Sequence, residues 1–263
     1  MRLLALIFGL ALGISAPAWA QAAGHWPGGK QAAIALTYDD SLASQLDVAV
    51  PQLDAAGFKG AFFLMGRQIG PNMLRWRAAA AEGHELANHT INHPCAAATY
   101  QMPAQYSSEA YSVPVLLTEI GVMNTYLQAI DGRTDHQLAT PCGQTVVGGG
   151  DDYVAALRHA TLVRYVRAAS DFDLHGQPVD PFNVPCHFFG AESSGADMIA
   201  YVESVRRRGG FGVIGFHGVG GDYLQVTGEA HQQLITYLKA HPDIWVGTFT
   251  QVMDAATGQS PPH

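Results

Sequence analysis

Two short polar clusters hold the residues best suited to chemistry: Thr37-Tyr38-Asp39-Asp40, and Asn88-His89-Thr90-Ile91-Asn92-His93. The first ends an apolar run, Ala32–Leu36, that reads as a buried strand. The second follows another strand-like step, Glu85-Leu86-Ala87. Adjacent carboxylates at one strand end and two imidazoles four residues apart at another suit a metal-dependent hydrolase. One Asp and two His can hold a divalent metal and leave positions open for water and substrate. The other Asp can then take a proton from that water. Each cluster also has an ordinary reading. One Asp can cap the helix that starts near Ser41 or Leu42, and the histidines can be polar residues near a helix start. No Glu follows His89, so this is not the HExxH zinc-protease motif. Pro94 blocks a long helix there, although a single turn can still place both imidazoles on one side.

A third candidate is His217. It ends the apolar step Val213-Ile214-Gly215-Phe216 in a glycine-rich loop, where an imidazole can serve as a general acid or lie buried against backbone. The elements that must position these groups alternate along the chain. Strands are expected at Ala32–Leu36, Gly60–Leu64, Glu85–Ala87, Leu138–Thr140, Val163–Ala168, Phe211–Phe216 and Ile244–Gly247. Helices are expected at Leu42–Ala56, Leu74–Ala81, Val113–Ile130, Asp151–His159, Ala196–Arg208 and Gly228–Ala240. Residues 95–112 read as an irregular excursion, and 170–195 as a loop in which His187, Phe188 and Phe189 pack. Such alternation argues a parallel sheet, open or closed. In a parallel barrel the site lies at the strands' C-terminal ends. Asp39, Asp40, His89, His93, Cys142 and His217 all fall just after expected strands.

Residues 1–20 read as a secretory signal peptide. Arg2 precedes an apolar stretch, Leu3–Ile14, too short to span a bilayer, and Ala18-Trp19-Ala20 supplies small residues for cleavage. The expectation is a secreted or periplasmic protein with no transmembrane segment after cleavage. Residues 21–263 suit one large α/β domain. The chain has 14 basic against 22 acidic side chains, a formal charge of −8, and loss of Arg2 makes it more negative. That balance argues against nucleic acid and anionic membranes as partners. Export would put Cys95, Cys142 and Cys186 in an oxidising compartment, giving one disulfide and one free thiol. The sequence leaves the pairing and the oligomeric state open. No CxxC or CxxH spacing supports a zinc-thiolate site.

The chain resembles the NodB-type polysaccharide deacetylases, carbohydrate esterase family 4, over roughly residues 30–250. Four features carry the resemblance: Thr-Tyr-Asp-Asp at 37–40, His-Thr-x-x-His at 89–93 within Gly83-His84-Glu85-Leu86-Ala87-Asn88-His89-Thr90, Pro-x-Gly at 141–143, and the apolar strand ending in His217. The resemblance implies a single-domain, distorted (β/α)7 barrel. It implies that Asp40, His89 and His93 bind a divalent metal, usually Zn2+, although cobalt, nickel or manganese also suit such ligands. It implies Asp39 as the base, His217 as the acid, and the Cys142 N–H as oxyanion donor. The implied substrate is an acetylated carbohydrate, with peptidoglycan, chitin-type oligomers and xylan as candidates and amide or ester left open. Two alternatives stand beside it: a same-fold hydrolase of small cyclic amides or ureides, and a non-catalytic carbohydrate-binding protein. The sequence departs from the family pattern at three places. Ser41 replaces the Gly that commonly follows the Asp pair. Ala139 replaces the Arg that tethers the base, a loss Arg167 can make good. The Asp-x-x-Asp-Trp motif is not recognisable, although Asp171 and Asp173 lie in its region.

Overall fold

The apolar run that begins at Ala32 continues through the first polar cluster as a strand, β1 (Ala32–Asp39), buried along its whole length. A computed structural model of the chain describes residues 26–171, 174 and 177–259. The expected signal peptide lies outside them. After β1 comes a helix in two parts: a π-helical stretch, Gln45–Ala49, and then α1 (Val50–Ala56). Pro51 accounts for the join. It has no N–H, and its ring excludes the carbonyl four residues back. The Val50 N–H accordingly reaches five residues back, to Gln45 O. The unbroken helix expected over Leu42–Ala56 is therefore interrupted.

The chain continues through β2 (Ala61–Leu64), α2 (Gly66–Ile69), α3 (Met73–Ala81), β3 (Glu85–Asn88), α4 (Val113–Asp131) and β4 (Leu138–Ala139). A small hairpin, β5 (Val146–Val147) and β6 (Asp151–Asp152), leads into α5 (Tyr153–Leu157). Asp152 caps that helix by accepting from the Ala155 N–H, which shortens the helix expected from Asp151. Then follow β7 (Val166–Arg167), β8 (His187–Phe188), α6 (Gly195–Arg208), β9 (Phe211–Phe216), α7 (Gly228–Ala240), β10 (Ile244–Gly247) and α8 (Phe249–Thr257). Among the described residues no helix is long and apolar enough to cross a membrane.

Seven strands form a parallel sheet in the order β7-β4-β3-β2-β1-β9-β8, with β10 pairing the first half of β1. The sheet curls until its ends meet. There the junction is one irregular bridge between Arg167 and Val184, with hydrogen bonds from the Val184 and Ala168 N–H groups, in place of a regular ladder. This is the distorted barrel of the sequence reading, in one domain. Successive side chains alternate across a strand, so β1 sends Ile34, Leu36 and Tyr38 outward under the helices and Ala33 and Ala35 inward. Asp39 shares the inward phase. The interior is narrow and is filled by small residues (Ala33, Ala35, Ala61, Ala87, Ala139) around Phe63, Tyr165 and Phe249. α8 closes the N-terminal end of the barrel. Its Thr250 N–H and hydroxyl both donate to the buried Glu85 carboxylate. With that end sealed, the C-terminal end is left for chemistry.

Candidate active site

β1 delivers Asp39 to the barrel mouth, and the chain then turns sharply at Asp40 and Ser41, with φ of 77° and 60°. Left-handed backbone is costly for residues with a Cβ. Ser41 offsets part of that cost, because its Oγ accepts from the Met65 N–H at 2.8 Å. That bond explains how Ser stands where glycine is common. Thr90, His93 and Cys142 also have positive φ, so five of the eight such non-glycine residues among those described surround one point. Strained backbone persists where neighbours over-determine it, and here they do. Asn88 Oδ1 accepts from the Thr90 N–H at 2.7 Å, and Thr90 Oγ1 from the His93 N–H at 3.0 Å. From α4, the Glu119 carboxylate accepts from the N–H groups of Ile91 and Asn92, from the Asn92 side chain and from the Tyr111 hydroxyl.

These supports bring three ligand-type atoms together. His89 Nδ1 donates to Ala139 O at 3.0 Å, which turns its Nε2 inward. That Nε2 lies 3.0 Å from His93 Nε2 and 3.4 Å from Asp40 Oδ1, and His93 Nε2 lies 3.5 Å from the same oxygen. Bonds of ~2.0–2.1 Å to a tetrahedral ion put ligands ~3.3 Å apart, so the three spacings suit a small divalent metal. Asp40 Oδ1 is also buried with no hydrogen-bond partner among the described residues, a costly state that a cation relieves. The ionisation is consistent with this. Burial would raise Asp40, but the neighbouring imidazoles of His89, His93 and His217 hold it far below the usual carboxylate range. Burial, aided by the charge on His89, lowers His93 to about 4. Burial also acts to lower His89, but Asp39 and Asp40 outweigh it and raise the pKa above the usual histidine value. A second cluster, Asp54, Glu82 and His84, already holds a cation, because Lys59 is salt-bridged to Asp54.

Asp39 stands beside the trio, its Oδ2 3.8 Å from His89 Nε2. It does not face the cluster alone. Arg167 Nη2 donates to both its oxygens, at 2.6 and 2.5 Å, and the two residues are 1% and 3% exposed. The guanidinium also lies 4.6 Å from the centre of the Phe63 ring and 4.9 Å from that of Phe188. Arg167 and Ala139 are register partners on adjacent parallel strands. The tether absent from β4 is thus supplied from the neighbouring strand, on the same face.

His217 completes the group, with Nε2 3.8 Å from Asp40 Oδ2 and its ring 5.3 Å from Phe188. The expectation that Phe188 merely packs in a loop is corrected. It belongs to a strand paired to β9, and its ring lies between Arg167 and His217. A Cβ on Gly215 would come within 2.6 Å of that ring. Asp171 pairs with His187 at 2.8 Å, and Asp173 lies outside the described residues. Two further residues carried no sequence signal. Gln45, on the π-helical stretch, donates to the carbonyls of both Asp39 (2.5 Å) and His217 (3.0 Å). Tyr223 donates to Asp40 Oδ2 at 2.8 Å; burial, then Asp40, raise its pKa, so it remains a donor. Cys142 sits in the turn Pro141–Gly143, beside His93. The Thr140 and Pro141 carbonyls take the N–H groups of Gly143 and Gln144, so the turn's own bonds bypass the Cys142 N–H.

The family model for polysaccharide deacetylases matches residues 28–162, just over half of the 263-residue chain. The chain belongs to the polysaccharide deacetylase family. The matched stretch includes Asp39, Asp40, His89, His93 and Cys142, and stops short of Arg167 and His217. Among solved structures, a Mycobacterium smegmatis protein assigned as a polysaccharide deacetylase superposes with a TM-score of 0.62 at 16% identity, covering 90% of this chain and 95% of that one. A family 4 acetyl xylan esterase from Clostridium thermocellum, in complex with a cobalt ion, gives 0.56 at 19%, covering 87% and 93%. At such identities the likeness concerns the fold alone. A gellan lyase from Bacillus sp is 35% identical over 103 residues, which is 39% of this chain and 4% of that protein.

Proposed function

We propose that this member of the polysaccharide deacetylase family is an exported, zinc-dependent hydrolase that removes acetyl groups from a carbohydrate. The observation that carries the reading is the meeting of Asp40, His89 and His93 beside an Arg-held carboxylate and a second imidazole at one barrel mouth. One oxygen and two imidazole nitrogens suit zinc, and the sequence of residues 1–20 supports export.

Asp40, His89 and His93 would hold the ion. When bound, it supplies Lewis acidity and lowers the pKa of a water molecule in its open position. Asp39 acts as the base that accepts a proton from the attacking water. The bonds from Arg167 Nη2 to both Asp39 oxygens hold the carboxylate in place and leave its outer lone pairs for that proton. The Cys142 N–H faces the oxygen that becomes negative as the acetyl carbon turns tetrahedral, and a fixed donor there costs no reorganisation. His217 donates a proton to the departing amine or alcohol, and acetate is released. Gln45 sets the spacing between acceptor and donor through its two carbonyl bonds.

The test is acetate release by the purified protein from N-acetylglucosamine oligomers and from acetylated xylan, with zinc and with a chelator. Chelator-sensitive release is expected, and the responding substrate separates amide from ester cleavage. The Asp39→Ala variant should lose activity by ~10²–10⁴ while still binding metal, and should be less stable because Arg167 is left buried without its partner. No acetate from any acetylated glycan, with metal bound, would refute the reading; hydrolysis of small cyclic amides would replace it.

A further inference from the structure

The disulfide in this chain joins Cys95 to Cys142 and leaves Cys186 as a free, buried thiol. Its placement bears on the site in two ways. Cys95 follows His93 by two residues, and its Sγ lies 3.3 Å from His93 Nδ1, with Cys142 Sγ at 3.8 Å. The outer nitrogen of a metal-binding histidine ordinarily donates to a carbonyl or carboxylate that fixes the ring, as His89 does to Ala139 O. At His93 the two sulfurs of the disulfide take that place. At its other end the bond anchors Cys142, whose N–H is left out of the turn's own bonds and is the oxyanion donor of the proposed reaction.

Backbone pairing alone secures these two loops poorly. They follow β3 and β4, whose ladder consists of one register pair, Asn88 with Leu138. His93 and Cys142 both hold left-handed backbone, at φ 55° and 53°, and relaxation of either would turn its group away from the mouth. Beyond the disulfide, the loops are linked by the bond from the Ala96 N–H to the Gln144 side chain and, farther from the mouth, by that from the Gly148 N–H to Ser108 O. Opened, the same sulfurs would form with His93 Nδ1 a soft-ligand set that competes for a divalent ion on the wrong side of the ring.

We propose that the Cys95–Cys142 disulfide is a positioning element of the site, fixing the His93 ring and the direction of the Cys142 N–H together. The inference rests on the metal-dependent reading above. The test compares the wild-type protein with Cys95→Ala/Cys142→Ala, and with Cys95→Ser/Cys142→Ser should the first pair fold poorly. Zinc Kd is measured by competition with a chromophoric chelator, and kcat, KM and Tm are recorded alongside. The expected result is a zinc Kd raised ~10–100-fold and kcat lowered at least ~10-fold, with KM nearly unchanged. A lower Tm with zinc Kd and kcat both within twofold of wild type would overturn the proposal and leave a purely structural staple. The zinc measurement needs no substrate. A raised Kd therefore supports the proposal even where wild-type protein releases no acetate, a result that would count against the deacetylase reading alone.

Discussion

The Arg167–Asp39 pair can be broken, and the register of the barrel says where it can be rebuilt. Arg167→Ala leaves the Asp39 carboxylate buried without its cation. Both groups are almost fully enclosed, so the regime is that of a buried pair with one partner removed, about 3–5 kcal/mol. For a domain of this size each kcal/mol shifts Tm by ~2–4 °C, so the drop should fall between about 6 and 20 °C. Loss of the base's orientation should lower kcat by ~10²-fold or more. Parallel neighbours lie ~4.8 Å apart, a gap that an arginine stem spans. Ala139 faces the same interior as Arg167. Ala139→Arg in the Arg167→Ala background should therefore recover at least ~10-fold in kcat and part of the lost Tm. The assay is acetate release under saturating substrate, with thermal unfolding by circular dichroism on the same samples. Arg167→Lys loses the Nη1 bond to Cys186 Sγ and the planar contact with Phe63 and Phe188, and should fall well short of wild type. Arg167→Ala with wild-type kcat and a Tm change under about 2 °C would refute the argument. So would a double variant no better than the single.

Further expectations follow from other contacts. His217→Asn should reduce kcat by ~10²–10⁴ with zinc Kd little changed, and a variant of unaltered kcat would remove His217 from the chemistry. Tyr223→Phe deletes the donor on Asp40 Oδ2 and should weaken zinc binding ~10-fold or more, read by the same chelator competition. His231 is buried beneath the barrel wall, its Nδ1–H donating to Gln52 and its Nε2 accepting from Tyr38. Burial lowers its pKa to about 3, so the unfolded chain, near 6.5, takes up the proton first as pH falls. The stability linked to the neutral ring is complete above about pH 6.5 and is lost progressively toward pH 3. At pH 5 the loss should be about 2 kcal/mol. Urea unfolding at pH 7 and pH 5 should show that loss in wild type, and His231→Gln should show a smaller one. Equal losses would disprove the assignment.

The sequence was readable where one physical rule dominated locally. β1, β2, β9 and β10 are continuous apolar runs, and the apolar spacing of α4 and α7 matches a helix face. Asp39, Asp40, His89, His93, Cys142 and His217 converge as expected, because strand ends in a parallel barrel converge whatever their separation along the chain. What escaped depends on partners. β8 is two residues long in a proline-rich stretch and exists through its pairing with β9. α8 is fixed by Glu85 from the barrel floor, far away in sequence. Of the strand expected at Val163–Ala168, only Val166–Arg167 is laddered, since its neighbours are a two-residue strand and a single bridge. Glu119, Gln45 and Tyr223 carry no motif, and nothing local marks a glutamine as a clasp between two carbonyls. The cysteine pairing required knowing that two loops meet.

The π-helical stretch before Pro51 has a mechanical consequence. One amide, Gln45 Nε2, holds the strand ends that carry Asp39 and His217. A displacement of either end is therefore transmitted to the other, like two arms geared to one wheel. The span between them is therefore held more firmly than the position of either one, so the mouth can widen as a substrate enters while the spacing of base and acid stays nearly constant.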